Sequence, residues 1–266
     1  EAQARKHSWF VLQVLSDIFF SYKFTLKLYA KSAFIAVILI TTAFFLTYSL
    51  HEIIFKDLPQ VTDLTAKNPQ VSTKILDRNG VVLFRIYENE NRTILSLSEI
   101  PDSVIAATIA IEDKDFFVHH GFSMSGITRA ALSNFQGKSL QGGSTITQQL
   151  VKNRLLTSER TFSRKIRELV LAILVEIHYS KEEILEMYLN QVAYGGNSYS
   201  IEEASQKFFG KSARELNLSE SALLAGLPQA PSTYTPFGAN PELAYTRQEE
   251  VLRRMVEDGY ISPEQA

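Results

Sequence analysis

The chain has 266 residues, 45% hydrophobic and 21% charged, with a formal net charge of −2. That length supports one large domain or two modest ones with a real core, and the near-neutral balance gives no sign of a nucleic-acid partner. No cysteine is present, which excludes disulfides and thiol chemistry.

The N-terminal part is organised around apolar segments. Trp9 to Phe20 (WFVLQVLSDIFF) is apolar but too short to cross a bilayer, and reads as a segment lying along a membrane surface. Ser32 to Leu50 (SAFIAVILITTAFFLTYSL) carries no charge, and its hydroxyls can bond back to helix carbonyls. Its length suits ~30 Å of hydrocarbon. A cleaved signal peptide would have a shorter apolar region followed by a small-x-small pattern, which is missing after Leu50. Arg5, Lys6, Lys23, Lys27 and Lys31 precede the segment, and only Lys56 soon follows it. The positive-inside bias therefore predicts a cytoplasmic N-terminus and a body outside the membrane.

After the anchor, Val71 to Tyr87 (VSTKILDRNGVVLFRIY) predicts a β-hairpin turning at Asn79-Gly80. Helical pattern begins at Pro101, a residue suited to a first helical position. A second helix is predicted over Ser125 to Gln136, ended by Gly137, and a third over Ser144 to Leu156, entered through Gly142-Gly143. In Phe162 to His178, Ile166, Leu169, Val170, Ile173, Leu174 and Ile177 share one face. Leu171, Ala172 and Val175 make the other side apolar too, which predicts a central, buried helix. Ser180 and Glu183 form a capping box that opens the next helix. A loop at Tyr194 to Asn197, short helices over Ile201 to Phe209 and Ser219 to Leu227, irregular chain around Pro228, Pro231 and Pro236, and a charged, exposed helix over Glu242 to Glu257 complete the pattern. The predicted fold class is mainly α, without repeats or metal-ligand spacing.

Two acids stand out. Glu112 closes the apolar run SVIAATIAI, and Glu168 lies in the greasy helix three residues after Lys165. A carboxylate against apolar walls loses hydration and gains proton affinity, which suits general acid–base work near neutral pH. Lys165 and Glu168 share a helix face. Taken alone, the pattern favours the plainer reading, since most such acids are solvated or paired structural groups. Glu176 reads as a buried, hydrogen-bonded structural acid, and His119-His120 as core packing or a helix-end contact. Lys152, Arg160, Arg164, Lys165 and Arg167 form either a solvated face or, with Gly142-Gly143 and Ser144 at a helix start, an anion cradle.

Five segments in order, IEDKDFFVHHGF, GGSTITQQLVKN, RKIRELVLA, KEEILEMYLNQVAYG and FFGKSARELNLSESALLAGLPQAPSTYTP, closely resemble the motifs of the peptidoglycan glycosyltransferases, glycosyltransferase family 51. The likeness covers roughly Ser72 to Gly238. It implies a lysozyme-like glycosyltransferase domain with a small membrane-proximal jaw lobe, preceded by one transmembrane helix and the hairpin. The organisation expected is a basic tail over 1–31, a transmembrane helix over 32–50, a linker with the hairpin over 51–98, the glycosyltransferase domain over 99–240 and a C-terminal helix over 241–266. The implied reaction polymerises lipid II, with release of undecaprenyl pyrophosphate, at the outer face of the bacterial cytoplasmic membrane. The implied partners are lipid II, the growing lipid-linked glycan, membrane lipid and other cell-wall proteins.

Carried over by motif, Glu112 matches the general base that deprotonates the acceptor's 4-hydroxyl for an inverting attack. Glu168 matches the acid beside the departing diphosphate, where a divalent cation (Mg or Mn) is an optional partner; no cofactor is obligatory. Lys165 and Arg160 match cations facing that diphosphate, Gln149 and Lys152 match donor-side contacts, and Ser144 and Thr145 match helix-entry hydroxyls. Lys114 and Ser123 depart from the family's usual arginine and aspartate, and Lys114 loses the planar fork. A diphosphate leaves already stable, so one base and a cationic cradle suffice, whereas a lysozyme-like hydrolase needs a proton donor for its alcohol. A non-catalytic scaffold would not need Glu112, Lys165 and Glu168 together. The hairpin and final helix are similar to class A penicillin-binding proteins, yet the serine motifs of a transpeptidase are not in this stretch. The expectation is a piece of a bifunctional enzyme, with a monofunctional enzyme as the alternative.

Overall fold

The computed structural model describes residues 29, 31–66, 73–78, 82–86, 93–124, 126, 128, 143–157, 159 and 161–266. The segment at Trp9 to Phe20, the turn residues Asn79-Gly80, nearly all of the helix expected over Ser125 to Gln136, Gly142 and Arg160 lie outside them. The chain divides into two compact units, Glu1–Asp57 and Leu58–Ala266.

In the first unit, helix α1 spans Lys31–Phe55, 25 residues with none of its apolar window buried. At 1.5 Å per residue it is about 37 Å long, enough to cross the hydrocarbon of a membrane. The hydroxyls of Thr41 and Thr47 donate back to Val37 O at 2.9 Å and Ala43 O at 3.0 Å, so neither is an unmet polar group. The helix outlasts the uncharged stretch by a turn, and Asp57, in the left-handed region at φ 57°, follows its end.

The second unit is mainly helical. A short helix α2 (Asp63–Ala66) precedes an antiparallel hairpin of β1 (Thr73–Leu76) and β2 (Val82–Ile86), with Thr73 opposite Ile86 and a bulge after Ile75. Then come α3 (Asp102–Glu112), α4 (Ile146–Arg154), α5 (Phe162–His178), α6 (Lys181–Leu189), α7 (Ile201–Phe209), α8 (Leu218–Gly226) and α9 (Glu242–Glu257). Pro101 sits one residue before α3 rather than at its first position. The Ser180–Glu183 capping box forms as expected, and Thr145 with Gln148 makes another at the start of α4. Thr145, not Ser144, is therefore the cap, and Ser144 stays outside the helix.

The centre of the core is α3, not α5. Val104, Ala107, Thr108, Ile109, Ala110 and Ile111 are all buried. Val104 and Ile109 join a large apolar cluster with Phe116, Leu150, Leu171 and Tyr188. Ala107, Ala110 and Ile111 join a second with Ala222 and Ala225 of α8 and Val251 and Met255 of α9. Alanine against alanine lets α3 and α8 run close. Helix α5 has its expected ends, but its buried face is Glu168, Leu171, Ala172 and Val175. Ile177 stays 70% exposed, and Ile166, Leu169, Val170, Ile173 and Leu174 are half-buried. An apolar helix is buried only where neighbours cover it, and α3 and α8 are covered more fully than α5. Likewise α9 is charged but not merely exposed, because Val251 and Met255 tie it to α3 and α8 and Ala244 is buried too.

Candidate active site

The end of α3 forms one wall of a cleft of about 760 Å³, lined by Glu112, Asp113, Lys114, Ser144, Gln149 and Lys152, with Arg247, Arg253 and Arg254 contributed by α9. Glu112 is the last residue of α3. Its Oε2 accepts a hydrogen bond from Gln149 Nε2 at 2.6 Å, and its Oε1 is enclosed and accepts from no described group. Burial raises the proton affinity of this carboxyl. The Gln149 bond and the charges of Arg247 and Arg254 oppose the rise, and Asp113 adds to it.

Gln149 is itself oriented. Tyr188 Oη donates to Gln149 Oε1 at 3.3 Å. Burial, with the neighbouring Glu112 charge, pushes Tyr188 well above its ordinary value, so the phenol keeps its proton and stays the donor. The amide oxygen of Gln149 therefore faces Tyr188, and the amide nitrogen faces Glu112. Tyr194 is shifted upward for the same two reasons.

The second acid lies past the entry to α4. Lys165 Nζ donates to Ser144 Oγ at 2.9 Å and pairs with Glu168 Oε1, while Arg164 Nη1 meets Glu168 Oε2 at 3.2 Å. Ser144 thus belongs to the Glu112 cleft and also touches the Lys165–Glu168 pair. Glu168 is 1% exposed, and a buried carboxylate needs both cations. Each oxygen of Glu168 meets one cation, and no cluster of three His, Asp or Glu forms among the described residues, so a divalent cation here would be held by Glu168 together with phosphates of a bound ligand. Lys165 and Arg164 are placed to meet an anion directly.

Of the other residues singled out, Lys152 is exposed on the cleft wall. Thr145 is buried, and its hydroxyl is committed: it donates to Gly121 O at 2.8 Å and accepts from Gln148 N at 3.2 Å. Glu176 is a structural acid, as expected, held by Lys181 at 2.6 Å and Thr147 at 2.5 Å. His119 is half-buried and bonded to Asp113, while His120 is exposed. Sequence reasoning missed Asp113, Tyr188, Arg247 and Arg254. Arg254 donates to Ile111 O at 3.1 Å, one residue from Glu112. Arg247 reaches Gly226 O at 3.4 Å and stacks over Tyr234, 5.5 Å from the ring centre. A Cβ on Gly226 would lie 2.8 Å from Arg247 Cγ, so glycine leaves room for that arginine. Their i, i+7 spacing beside a buried stripe was the available signal, but solvated arginines show the same spacing.

The sequence profile of the transglycosylase family matches residues 79–256. The chain belongs to that family, and the matched stretch contains the cleft residues just described. Among its relatives, penicillin-binding protein 1A of Aquifex aeolicus (strain VF5) is 46% identical over 216 residues, covering 80% of this chain and 29% of the relative. Penicillin-binding protein 1F of Bacillus subtilis (strain 168) is 42% identical over 242 residues, covering 90% and 34%. Penicillin-binding protein 1A of Escherichia coli (strain K12) is 42% identical over 219 residues, covering 82% and 26%. The chain thus spans about a third or less of the length of these relatives. A crystal structure of penicillin-binding protein 1A from Haemophilus influenzae aligns with a TM-score of 0.41 and 26% identity, over 74% of this chain and 19% of that one.

Proposed function

We propose that this chain polymerises lipid II into β-1,4-linked glycan strands of peptidoglycan, with Glu112 as general base. The proton of the acceptor's GlcNAc 4-hydroxyl passes to the Glu112 carboxylate. The freed oxygen bonds to C1 of the donor MurNAc as the bond from C1 to the diphosphate breaks, with inversion. The electron pair leaves on the diphosphate. Lys165, Lys152 and Arg160 meet its charge, so no proton donor is needed. Glu168 and Ser144 keep Lys165 in place, and Gln149, held by Tyr188, keeps Glu112 in place.

The observation that carries the reading is the enclosed, partnerless Oε1 of Glu112, raised in proton affinity by burial, on a cleft that Ser144 connects to Lys165. Helix α1 would anchor the enzyme in the cytoplasmic membrane, N-terminus inside, so that the cleft works on the outer side where lipid II is presented. A glycan hydrolase would have to protonate an alcohol. Glu250 across the cleft does not suit that task, because Arg253 and Arg254 pair with it and favour its ionised form.

The test is polymerisation of labelled lipid II in detergent or vesicles by the wild type and by Glu112→Gln. The reading expects long glycan from the first and none from the second. Turnover by the variant would remove Glu112 as base, and cleavage of finished glycan by the wild type would favour the hydrolase.

A further inference from the structure

On the cleft wall, next to Glu112, a buried acid and a half-buried histidine are bonded to each other. Asp113 is 7% exposed, and its carboxylate accepts from His119 Nε2 at 2.8 Å (Oδ2) and 3.0 Å (Oδ1). A carboxylate can only accept here, so Nε2 carries the proton. The same Oδ2 also accepts from the backbone N–H of Ile146 at 3.0 Å. Ile146 is the first residue of α4, and its N–H is one of the donors that a helix start leaves without an internal partner. The loop from Asp113 to Gly121 grips α4 a second time, because Gly121 O accepts from Thr145 Oγ1 at 2.8 Å.

The histidine is fixed in turn. Its ring lies edge-on to Phe116, 6.2 Å between centres, and Lys181 Nζ donates to its carbonyl at 2.7 Å. His119 Nδ1 is buried without a partner. The ring therefore spends its one strong polar bond on Asp113, and nothing else on the ring competes to turn it.

We propose that Asp113 and His119 are positioning residues for the transfer step: the pair pins the start of α4 to the end of α3, and so sets the contact between Gln149 on α4 and Glu112 on α3. This rests on Glu112 being the base. The geometry runs without a gap. His119 holds Asp113, Asp113 holds the Ile146 amide, and Gln149 lies one turn further along α4, 2.6 Å from Glu112. Asp113 adjoins Glu112 in the chain, so one residue faces the reaction while the next ties down the helix that aligns it. The groups bearing on Glu112 are Asp113 beside it, Gln149 from α4, Tyr188 from α6, Tyr194 after it, and Arg247 and Arg254 from α9. Loosening α4 removes the Gln149 bond, one of the groups that favour the ionised form of Glu112.

The test compares three variants of the full chain. His119→Gln can keep an N–H near the Nε2 position, His119→Asn cannot reach it, and His119→Leu has no donor. For His119→Leu and His119→Asn we expect kcat down roughly ten- to a hundredfold with KM within about twofold. We also expect the acid limb of the kcat–pH profile to move to higher pH, and faster hydrogen exchange at the Ile146 amide. His119→Gln should recover kcat to within about threefold of wild type. If His119→Leu does not fold, His119→Asn against His119→Gln decides the matter. Equal losses in all folded variants, with the acid limb and the Ile146 amide unmoved, would overturn the proposal and leave His119 as packing alone. A loss confined to KM would also overturn it. Glu112→Gln is run in parallel. Activity there removes the base, whereas unchanged exchange at Ile146 removes the clamp, so the two failures are separable.

Discussion

Replacing Glu112 by glutamine should make the protein more stable even as it destroys turnover, and the size of the gain should depend on pH. The carboxyl of Glu112 has its proton affinity raised, first by burial. A raised carboxyl means that the folded state holds the proton more tightly than the unfolded state. Stability is then greatest below the unfolded value, near 4.3 for glutamate, and is lost as pH rises through the folded one. At neutral pH the ionised group is a standing cost. Each tenfold in proton affinity is worth about 1.4 kcal/mol. In a domain of about 200 residues that corresponds to roughly 3–6 °C in Tm. The substituted amide would keep an acceptor for Gln149 without the charge. Tm measured from pH 4 to 8 should therefore show the variant ahead at pH 8 and the two curves converging at pH 4. A variant less stable than wild type at pH 8, or a difference that ignores pH, would refute the argument that burial raises the proton affinity of this carboxyl.

Three further outcomes are expected. Lys165→Ala should cut polymerisation from lipid II by about ten- to a hundredfold while changing binding of neutral glycan little; equal losses would contradict a diphosphate role. Gly121→Ala should destabilise by about 2 kcal/mol or more, because Gly121 has φ +89° and an added Cβ would lie 2.8 Å from Ala172 O; urea unfolding reads this directly. Removing residues 1–57 should lower activity on vesicle-borne lipid II by at least about tenfold, since the anchor holds enzyme and lipid in one plane, and should leave thermal unfolding of the remaining unit unchanged.

The chemistry of this site was more legible in the sequence than its mechanics. Glu112 stood out because an acid closing an apolar run is chemically odd, and five motifs in order made the family legible. Helix ends were legible where a side chain caps them, as at Ser180, and the ends of α5 matched its pattern. Which helix lies at the centre was not, because hydropathy records what a face tolerates, not what covers it. Helix α5 carries larger apolar residues than α3, yet the small alanines of α3 let two clusters close on it. Asp113 was illegible for another reason. Its partners, His119 and the Ile146 amide, are 6 and 33 residues away, and nothing local announces that an acid next to Glu112 will turn towards them. Arg247 and Arg254 were hidden by composition, since a helix rich in charge looks solvated even when one edge of it borders a cleft.

The close approach of α3 and α8 has a consequence for how this enzyme can change. Ala107 and Ala110 are 0% and 3% exposed and face Ala222 and Ala225 across the contact. In a close-packed interior one extra methyl group at any of these four positions pushes against its neighbours, and the end of α3 that it would displace lines the cleft. Variation in substrate preference must then accumulate on the far rim, among the side chains of α9 and the entry to α4, while the shaft that carries the acid stays as it is.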